Sequence, residues 1–190
     1  MKSKFFTRCA TLFLFAAIIL GVPAYQAAIV PSALMQPNIS VNGLFAMEKA
    51  QRGRPVQAAV VLDIPQGFHV NANKPLGKYA VATVLRVEAP GGIKISPVTY
   101  PRSSMHRVGG DQLAVYDGRA VMRFNVTVPA NYESNAAELR ARIKFQSCND
   151  DVCFPPVTRE ITMPIDVAKA NEAVKRVNGE VFGGGRGRRR

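Results

Sequence analysis

The sequence contains no tryptophan, two histidines and three cysteines, and these scarce residues limit the chemistry of the chain. Without tryptophan, the Cys-Trp-Cys pattern of antibody domains is absent. His69 and His106 lie far from the cysteines in sequence and no second cysteine pair exists, which argues against a zinc site. After residue 24, no segment approaches 18 consecutive apolar residues, so we expect a soluble mature chain.

The first 24 residues have the composition of a secretory signal peptide. Lys2, Lys4 and Arg8 precede an apolar run over residues 9–22, and we expect cleavage near Ala24. The run is short for a membrane-spanning helix, which needs about 20 residues, although an uncleaved anchor is the alternative. Export predicts a periplasmic location, where an oxidising environment lets two close cysteines form a disulfide.

Positive charge is concentrated at the two ends of the chain. The net charge is +12, but residues 1–24 supply three positive charges and no acid, and residues 186–190 supply four arginines. Residues 181–190 are predicted to form a disordered basic Gly/Arg tail, which is either solvated without a function or attracted to acidic lipid or an acidic partner. Because the chain is exported, we expect no nucleic-acid partner.

Most of the remaining chain consists of short runs of alternating apolar and polar residues. The clearest run, 139–146, places leucine, alanine, isoleucine and phenylalanine on one face and arginine, lysine and glutamine on the other. About seven to nine such runs and at most one helix predict an all-β protein, an antiparallel β-sandwich. The other long runs lie at 56–64, 81–89, 93–100, 120–128 and 157–165.

The segments outside these runs complete the predicted domain organisation. A loosely ordered lead-in at 25–42 precedes the predicted β-sandwich domain at 43–167. Residues 101–112 lack periodicity and are predicted to form a mobile loop. Apolar residues in 168–180 have helical spacing, and we expect a short C-terminal helix that ends at a capping Gly179.

Cys148 and Cys153 are the candidate reactive residues, since they lie just after the clearest strand with four residues between them. A structural disulfide is the simplest interpretation, but closing so small a ring stabilises the fold by only about 2 kcal/mol. Copper held by both sulfurs and a methionine such as Met105, or acyl transfer by a Cys–His pair, are further alternatives. Thiol–disulfide exchange also fits. Asp150 and Asp151 disfavour a thiolate within the ring, so exchange would depend on docking of a partner.

Three segments, taken in order, resemble a known family. They are Gly67 to Pro75 (GFHVNANKP), Val115 to Gly118 (VYDG) and Phe145 to Pro156 (FQSCNDDVCFPP). They are similar to the N-terminal periplasmic domain of DsbD-type thiol:disulfide interchange proteins, over about residues 43–167, and Cys-x4-Cys-x-Pro-Pro is the most specific part. The resemblance implies an immunoglobulin-like antiparallel β-sandwich that passes reducing equivalents to disulfide isomerases and proteins of cytochrome c biogenesis.

The resemblance also implies roles for individual residues. Cys153 matches the cysteine that forms mixed disulfides with partners, and Cys148 matches its resolving cysteine. The loop 101–112 matches a cap that shields the cysteines, but Met105 and His106 stand among residues that depart from the acidic and aromatic cap of the family. The residues expected to surround or cap the catalytic cysteines are Phe68, His69, Asn71, Met105, His106, Asp150 and Asp151.

No multi-span membrane segment or thioredoxin-like domain follows the β-sandwich, so the resemblance predicts a stand-alone domain with a separate membrane electron donor. The expected activity is thiol:disulfide interchange of the protein-disulfide reductase type with thioredoxin-like periplasmic proteins. We expect a monomer without a cofactor or metal. The alternatives are a non-enzymatic immunoglobulin-like binding module with a structural disulfide, and a copper-handling protein.

Overall fold

The computed structural model of the protein describes residues 36–183. The predicted signal peptide, most of the predicted lead-in and the basic tail from residue 184 lie outside the described residues. Within 36–183, helical structure is nowhere long and apolar enough to cross a membrane.

The described chain is an all-β, immunoglobulin-like sandwich with a short C-terminal helix. Its elements are β1 (Ser40–Phe45), β2 (Lys49–Gln51), β3 (Pro55–Asp63), β4 (His69–Asn71), β5 (Val84–Glu88), β6 (Lys94–Ile95), β7 (Ser104–Val108), β8 (Asp111–Tyr116), β9 (Arg119–Thr127), β10 (Ala136–Phe145), β11 (Ser147–Cys148), β12 (Val157–Ala168) and α1 (Gly179–Phe182). The strands form three sheets, ordered β1-β3-β9-β6, β2-β12-β10-β5 and β11-β4-β8-β7. The named strand pairs are antiparallel, apart from the parallel pair of β2 and β12.

One large core cluster takes side chains from all three sheets. Leu62 and Met122 come from the first sheet, Leu139 and Ile143 from the second and Val70 from the third. Strand β10 shows why these side chains meet, since every second residue along it is buried. Successive side chains of a strand point to opposite faces, so the alternating sequence turns one face of each sheet towards this core.

The long alternating runs at 56–64, 120–128, 139–146 and 157–165 are confirmed as β3, β9, β10 and β12. The predicted strands at 81–89 and 93–100 are longer than the observed β5 and β6. Beyond β6, Ser96 and Thr99 still bond to the backbone of β9. Pro97 has no N–H to donate between them, and this explains why the strand is interrupted.

The predicted loop at 101–112 is wrong, because most of this segment forms a β-hairpin. Strands β7 and β8 pair from Ser104 opposite Val115 to Val108 opposite Asp111. Gly109 and Gly110 form the turn, both with positive φ, which suits a two-residue hairpin. The sequence pattern failed here because β7 is mostly exposed on both faces and therefore needs no apolar alternation.

The predicted helix at 168–180 is wrong in position. Strand β12 continues to Ala168 through its pairing with β2, and the chain then runs back along the start of the sandwich, where Val177 N–H donates to Ala46 O at 3.0 Å. The N–H of Val177 is used in this contact, so it cannot donate to a carbonyl group within a helix. Gly179, the predicted end of the helix, is instead its first residue.

Candidate functional site

The two cysteines form a disulfide at the edge of the third sheet, with an S–S distance of 2.04 Å. Strand β10 delivers the chain into β11, where Cys148 lies opposite His69 of β4. Cys153 returns as an antiparallel bridge partner of Cys148, with Cα atoms 3.9 Å apart. The cysteines therefore lie on two arms of a tight turn, as their spacing suggests, but closer together than the usual ladder spacing. We call residues 148–153 the disulfide ring.

The disulfide ring is ordered by its own hydrogen bonds. The side-chain oxygen of Asn149 accepts from the backbone N–H of Asp151 at 3.0 Å and of Val152 at 2.8 Å. The backbone N–H of Asn149 donates to Val152 O at 3.0 Å. Asparagine commonly closes turns in this way, although Asn149 was not among the predicted site residues.

The two cysteines differ in their exposure to solvent. Cys148 is fully buried, and it packs against Val108, Leu113 and Val115 of the β7–β8 hairpin. These three residues cover Cys148, whereas the predicted cap residue Met105 is exposed. Cys153 is exposed, so a molecule in solution meets Cys153 before Cys148.

A cleft of about 350 Å³ opens beside Cys153. Its walls come from the disulfide ring, the hairpin and residues 77–80. Tyr79 and Val152 line it and are 81% and 46% exposed, which leaves apolar surface free next to the sulfur. Such surface next to an accessible disulfide suits contact with another protein.

Two buried amide side chains are hydrogen-bonded to each other and to the residue that follows the disulfide ring. Asn71 and Gln146 are both buried, and Asn71 Nδ2 donates to Gln146 Oε1 at 2.9 Å. Gln146 Nε2 donates to the backbone oxygen of Phe154, the residue after Cys153, at 3.1 Å. The prediction that Gln146 faces outward is wrong, because β10 ends at Phe145 and the alternation does not continue past it.

His69 and His106 meet beside the disulfide ring, with ring centroids 4.0 Å apart. His69 is buried between two carboxylates: Asp117 Oδ1 lies 2.6 Å from Nδ1, and Asp150 Oδ1 lies 3.2 Å from Nε2. His106 Nε2 lies 3.4 Å from Asp117 Oδ2. We call His69, His106, Asp117 and Asp150 the histidine cluster. Asp117 was not among the predicted site residues, because in the sequence it stands only as part of an Asp-Gly turn.

Asp117 is held in its charged form. Partial burial disfavours the carboxylate, but a hydrogen bond donated by Ser104 and the contact with His69 outweigh the burial. With the charge of His106 added, the pKa of Asp117 lies below its ordinary value. The cluster therefore contains a carboxylate at neutral pH.

The remaining predicted residues frame the ring. Phe68 is half-buried, and its ring centroid lies 6.1 Å from that of Phe154. Asp151 lies in the ring, is exposed and lines the cleft. The hairpin turn touches the ring, since Gly109 N–H donates to Asp150 O at 3.1 Å. The structure thus brings Phe68, His69, Asn71, His106, Asp150 and Asp151 into contact with the ring or with its neighbours, whereas Met105 stays at the exposed face of β7.

Residues 39–165 match the family described as thiol:disulfide interchange protein DsbD, N-terminal. The chain belongs to this family. The match contains the disulfide ring, the hairpin, the buried amides and the histidine cluster, and it supports a thiol–disulfide exchange domain.

The solved structures similar to the chain include two N-terminal domains. One is the reduced N-terminal domain of DsbD from Neisseria meningitidis, with 16% identity, a TM-score of 0.42, and 72% of this chain and 88% of that one covered. The other is the N-terminal periplasmic domain of ScsB from Proteus mirabilis, with 16% identity, a TM-score of 0.49, and 79% and 54% covered. The chain thus spans about half of the ScsB domain. No curated protein matches the chain.

Proposed function

We propose that the chain is a periplasmic thiol–disulfide exchange domain in which Cys153 reacts with partner proteins and Cys148 resolves the mixed disulfide. The unequal exposure of the two cysteines carries this proposal, because Cys148 is fully buried and Cys153 is exposed beside a cleft. Exchange requires a sulfur that a thiolate can reach and a second sulfur close enough to reform the ring. The pair meets both conditions.

The exchange step balances without a cofactor. In the reduced domain, the Cys153 thiolate attacks a sulfur of the partner disulfide, and the other partner sulfur leaves as a thiolate that takes up a proton. Cys148 then loses its proton and attacks the Cys153 sulfur, which releases the second partner thiol. The domain ends as a disulfide and the partner as a dithiol, a two-electron transfer. The reverse sequence reduces the domain.

The surroundings of the ring favour reaction with a docked partner over random exchange. Asp150 and Asp151 carry negative charge inside the ring, and nearby negative charge disfavours a thiolate. Asn71 Oδ1 lies 3.9 Å from Cys148 Sγ, where it can accept a hydrogen bond from the Cys148 thiol in the reduced state. A partner that covers the cleft excludes water from it. Docking also orients the partner's sulfur relative to Cys153, which does not happen when a small thiol collides at random.

Family membership and the predicted signal peptide support the partners and the compartment. The proposed partners are thioredoxin-like periplasmic proteins, including those of cytochrome c biogenesis, together with a membrane electron donor. We place the exchange domain at residues 43–167. The exposed apolar residues Tyr79 and Val152 at the cleft give such a partner its docking contact.

Trapping of mixed disulfides tests the proposal. Mature protein with Cys148→Ser, incubated with periplasmic extract, is expected to form adducts on a non-reducing gel that disappear with dithiothreitol, because Cys153 can react but the ring cannot close. The matched variant Cys153→Ser is expected to form none, since its remaining cysteine is buried. Absence of adducts with Cys148→Ser contradicts exchange and favours a binding module with a structural disulfide.

A further inference from the structure

The histidine cluster assembles residues from four separate parts of the chain. His69 lies on β4, His106 on β7, Asp117 in the turn between β8 and β9, and Asp150 in the disulfide ring. One potential ligand atom from each of His69, His106 and Asp150 lies within 4.8 Å of the others. Both histidines are distant from the cysteines along the chain, and this distance argues against a zinc site built on the two sulfurs. The sheet order β4-β8-β7 instead brings the histidines to each other, in a site that needs no sulfur.

In its neutral form, the ring of His69 presents a lone pair to one of its two carboxylate partners. A neutral imidazole carries one N–H, so it can donate to only one of the two carboxylates that face its nitrogens. If Nδ1–H donates to Asp117, the closer of the two at 2.6 Å, then Nε2 and Asp150 Oδ1 face each other with lone pairs at 3.2 Å. A cation bound by both atoms removes this conflict.

His106 can supply a second imidazole lone pair to that cation. Its ring centroid lies only 4.0 Å from that of His69, and one nitrogen of each ring and one oxygen of Asp150 lie within 4.8 Å of one another. A divalent metal ion accepts a lone pair from each ring. Two imidazoles and a carboxylate are ligands that zinc prefers, with metal–ligand distances of about 2.0–2.2 Å, so the three ligand atoms, which lie within 4.8 Å of one another, have to move closer together to share one ion.

Asp117 has the position of a residue that orients a metal ligand. Histidines that bind metals commonly donate the N–H of the other ring nitrogen to a carboxylate, which fixes the tautomer and raises the basicity of the ligand. The Asp117–His69 contact has this arrangement. Ser104, which donates to Asp117, holds the carboxylate in place in turn.

We propose that His69, His106 and Asp150 bind one divalent transition-metal ion such as Zn²⁺, with Asp117 as a positioning residue. The ion can reach the site from solvent, because the side chains of His106 and Asp150 are 37% and 81% exposed. Once bound, it links the β7–β8 hairpin to the disulfide ring. The proposal does not depend on thiol exchange, because the sulfurs take no part in the site.

Calorimetric titration of Zn²⁺ into untagged, oxidised mature protein tests the site, since the intact disulfide prevents binding by thiolates. We expect one ion per chain. Asp150→Asn and His106→Gln should each weaken binding by at least about tenfold, and Asp117→Asn by about 10–100-fold. The matched control is Asp151→Asn, which removes an exposed carboxylate from the same ring and should leave the affinity unchanged.

Nuclear magnetic resonance of the imidazole nitrogens provides a second readout, because the chain has only two histidines. Zn²⁺ is expected to shift the ring signals of both His69 and His106, in proportion to the calorimetric occupancy. The site is refuted if Zn²⁺ does not bind, if only one histidine responds, or if Asp151→Asn weakens binding as much as Asp150→Asn does. Thermal melting of each variant shows that a lost affinity does not come from unfolding.

Discussion

Replacing Cys153 by serine is expected to slow the reaction of the reduced protein with a small aromatic disulfide by at least about 1,000-fold relative to Cys148→Ser, because it removes the reacting nucleophile. In Cys153→Ser the remaining thiol, Cys148, is fully buried under the hairpin. In Cys148→Ser the remaining thiol is at the exposed position beside the cleft. The release of the coloured thiol from the disulfide reagent gives both rates.

The comparison depends on the two variants having the same fold, and each loses the same disulfide. Circular dichroism and thermal melting of both variants serve as the control. Equal rates for Cys148→Ser and Cys153→Ser would contradict the assignment of Cys153 as the exchanging sulfur. Faster reaction of Cys153→Ser would reverse the two roles.

Replacing Gln146 by leucine is expected to lower the free energy of unfolding by about 3–5 kcal/mol. The side chain of Gln146 accepts from Asn71 Nδ2 and from Val81 N–H, both at 2.9 Å, and donates to Phe154 O at 3.1 Å. Leucine has a similar size but leaves three partners unpaired, and each buried, unsatisfied group costs about 1–3 kcal/mol. Urea denaturation of the oxidised protein measures the change.

The matched control for Gln146→Leu is Gln112→Leu, at an exposed position of β8. This substitution is expected to change the free energy of unfolding by no more than about 0.5 kcal/mol. A loss below about 1 kcal/mol for Gln146→Leu would mean that water pairs the three groups instead, and that the amide pair does not support the ring. Because Phe154 follows Cys153 directly, a large loss also predicts a looser disulfide ring.

The strands with one buried face could be predicted from the sequence. In β10, apolar residues from Leu139 to Phe145 alternate with charged ones because the core lies on one side only. The β7–β8 hairpin could not be predicted from the sequence. Val108 is the one buried residue of β7, so this strand needs no alternation of apolar and polar residues. The C-terminal helix was predicted in the wrong place because Val177 forms a hydrogen bond with a residue distant in sequence, and the local spacing of apolar residues does not reveal such a contact.

The candidate site was predictable in part. The spacing of Cys148 and Cys153 and their neighbours was enough to locate the disulfide ring, because these residues are local in sequence. The histidine cluster depends on the order of strands in the third sheet. The family resemblance placed both histidines around the cysteines, but the sequence did not show that His69 and His106 contact each other. Asp117 was hidden because Asp-Gly is also an ordinary hairpin turn.

The reduction potential of the Cys148–Cys153 couple tests most directly whether this disulfide exchanges electrons with partners. Mature protein is equilibrated with dithiothreitol buffers of known potential, and the reduced fraction is measured by the mass added on alkylation. Structural disulfides typically have potentials below about −300 mV, whereas exchanging ones lie higher. We predict a value above about −300 mV, because the small ring adds little stability and Cys153 is exposed. A value well below this limit would contradict the exchange function and make the disulfide structural.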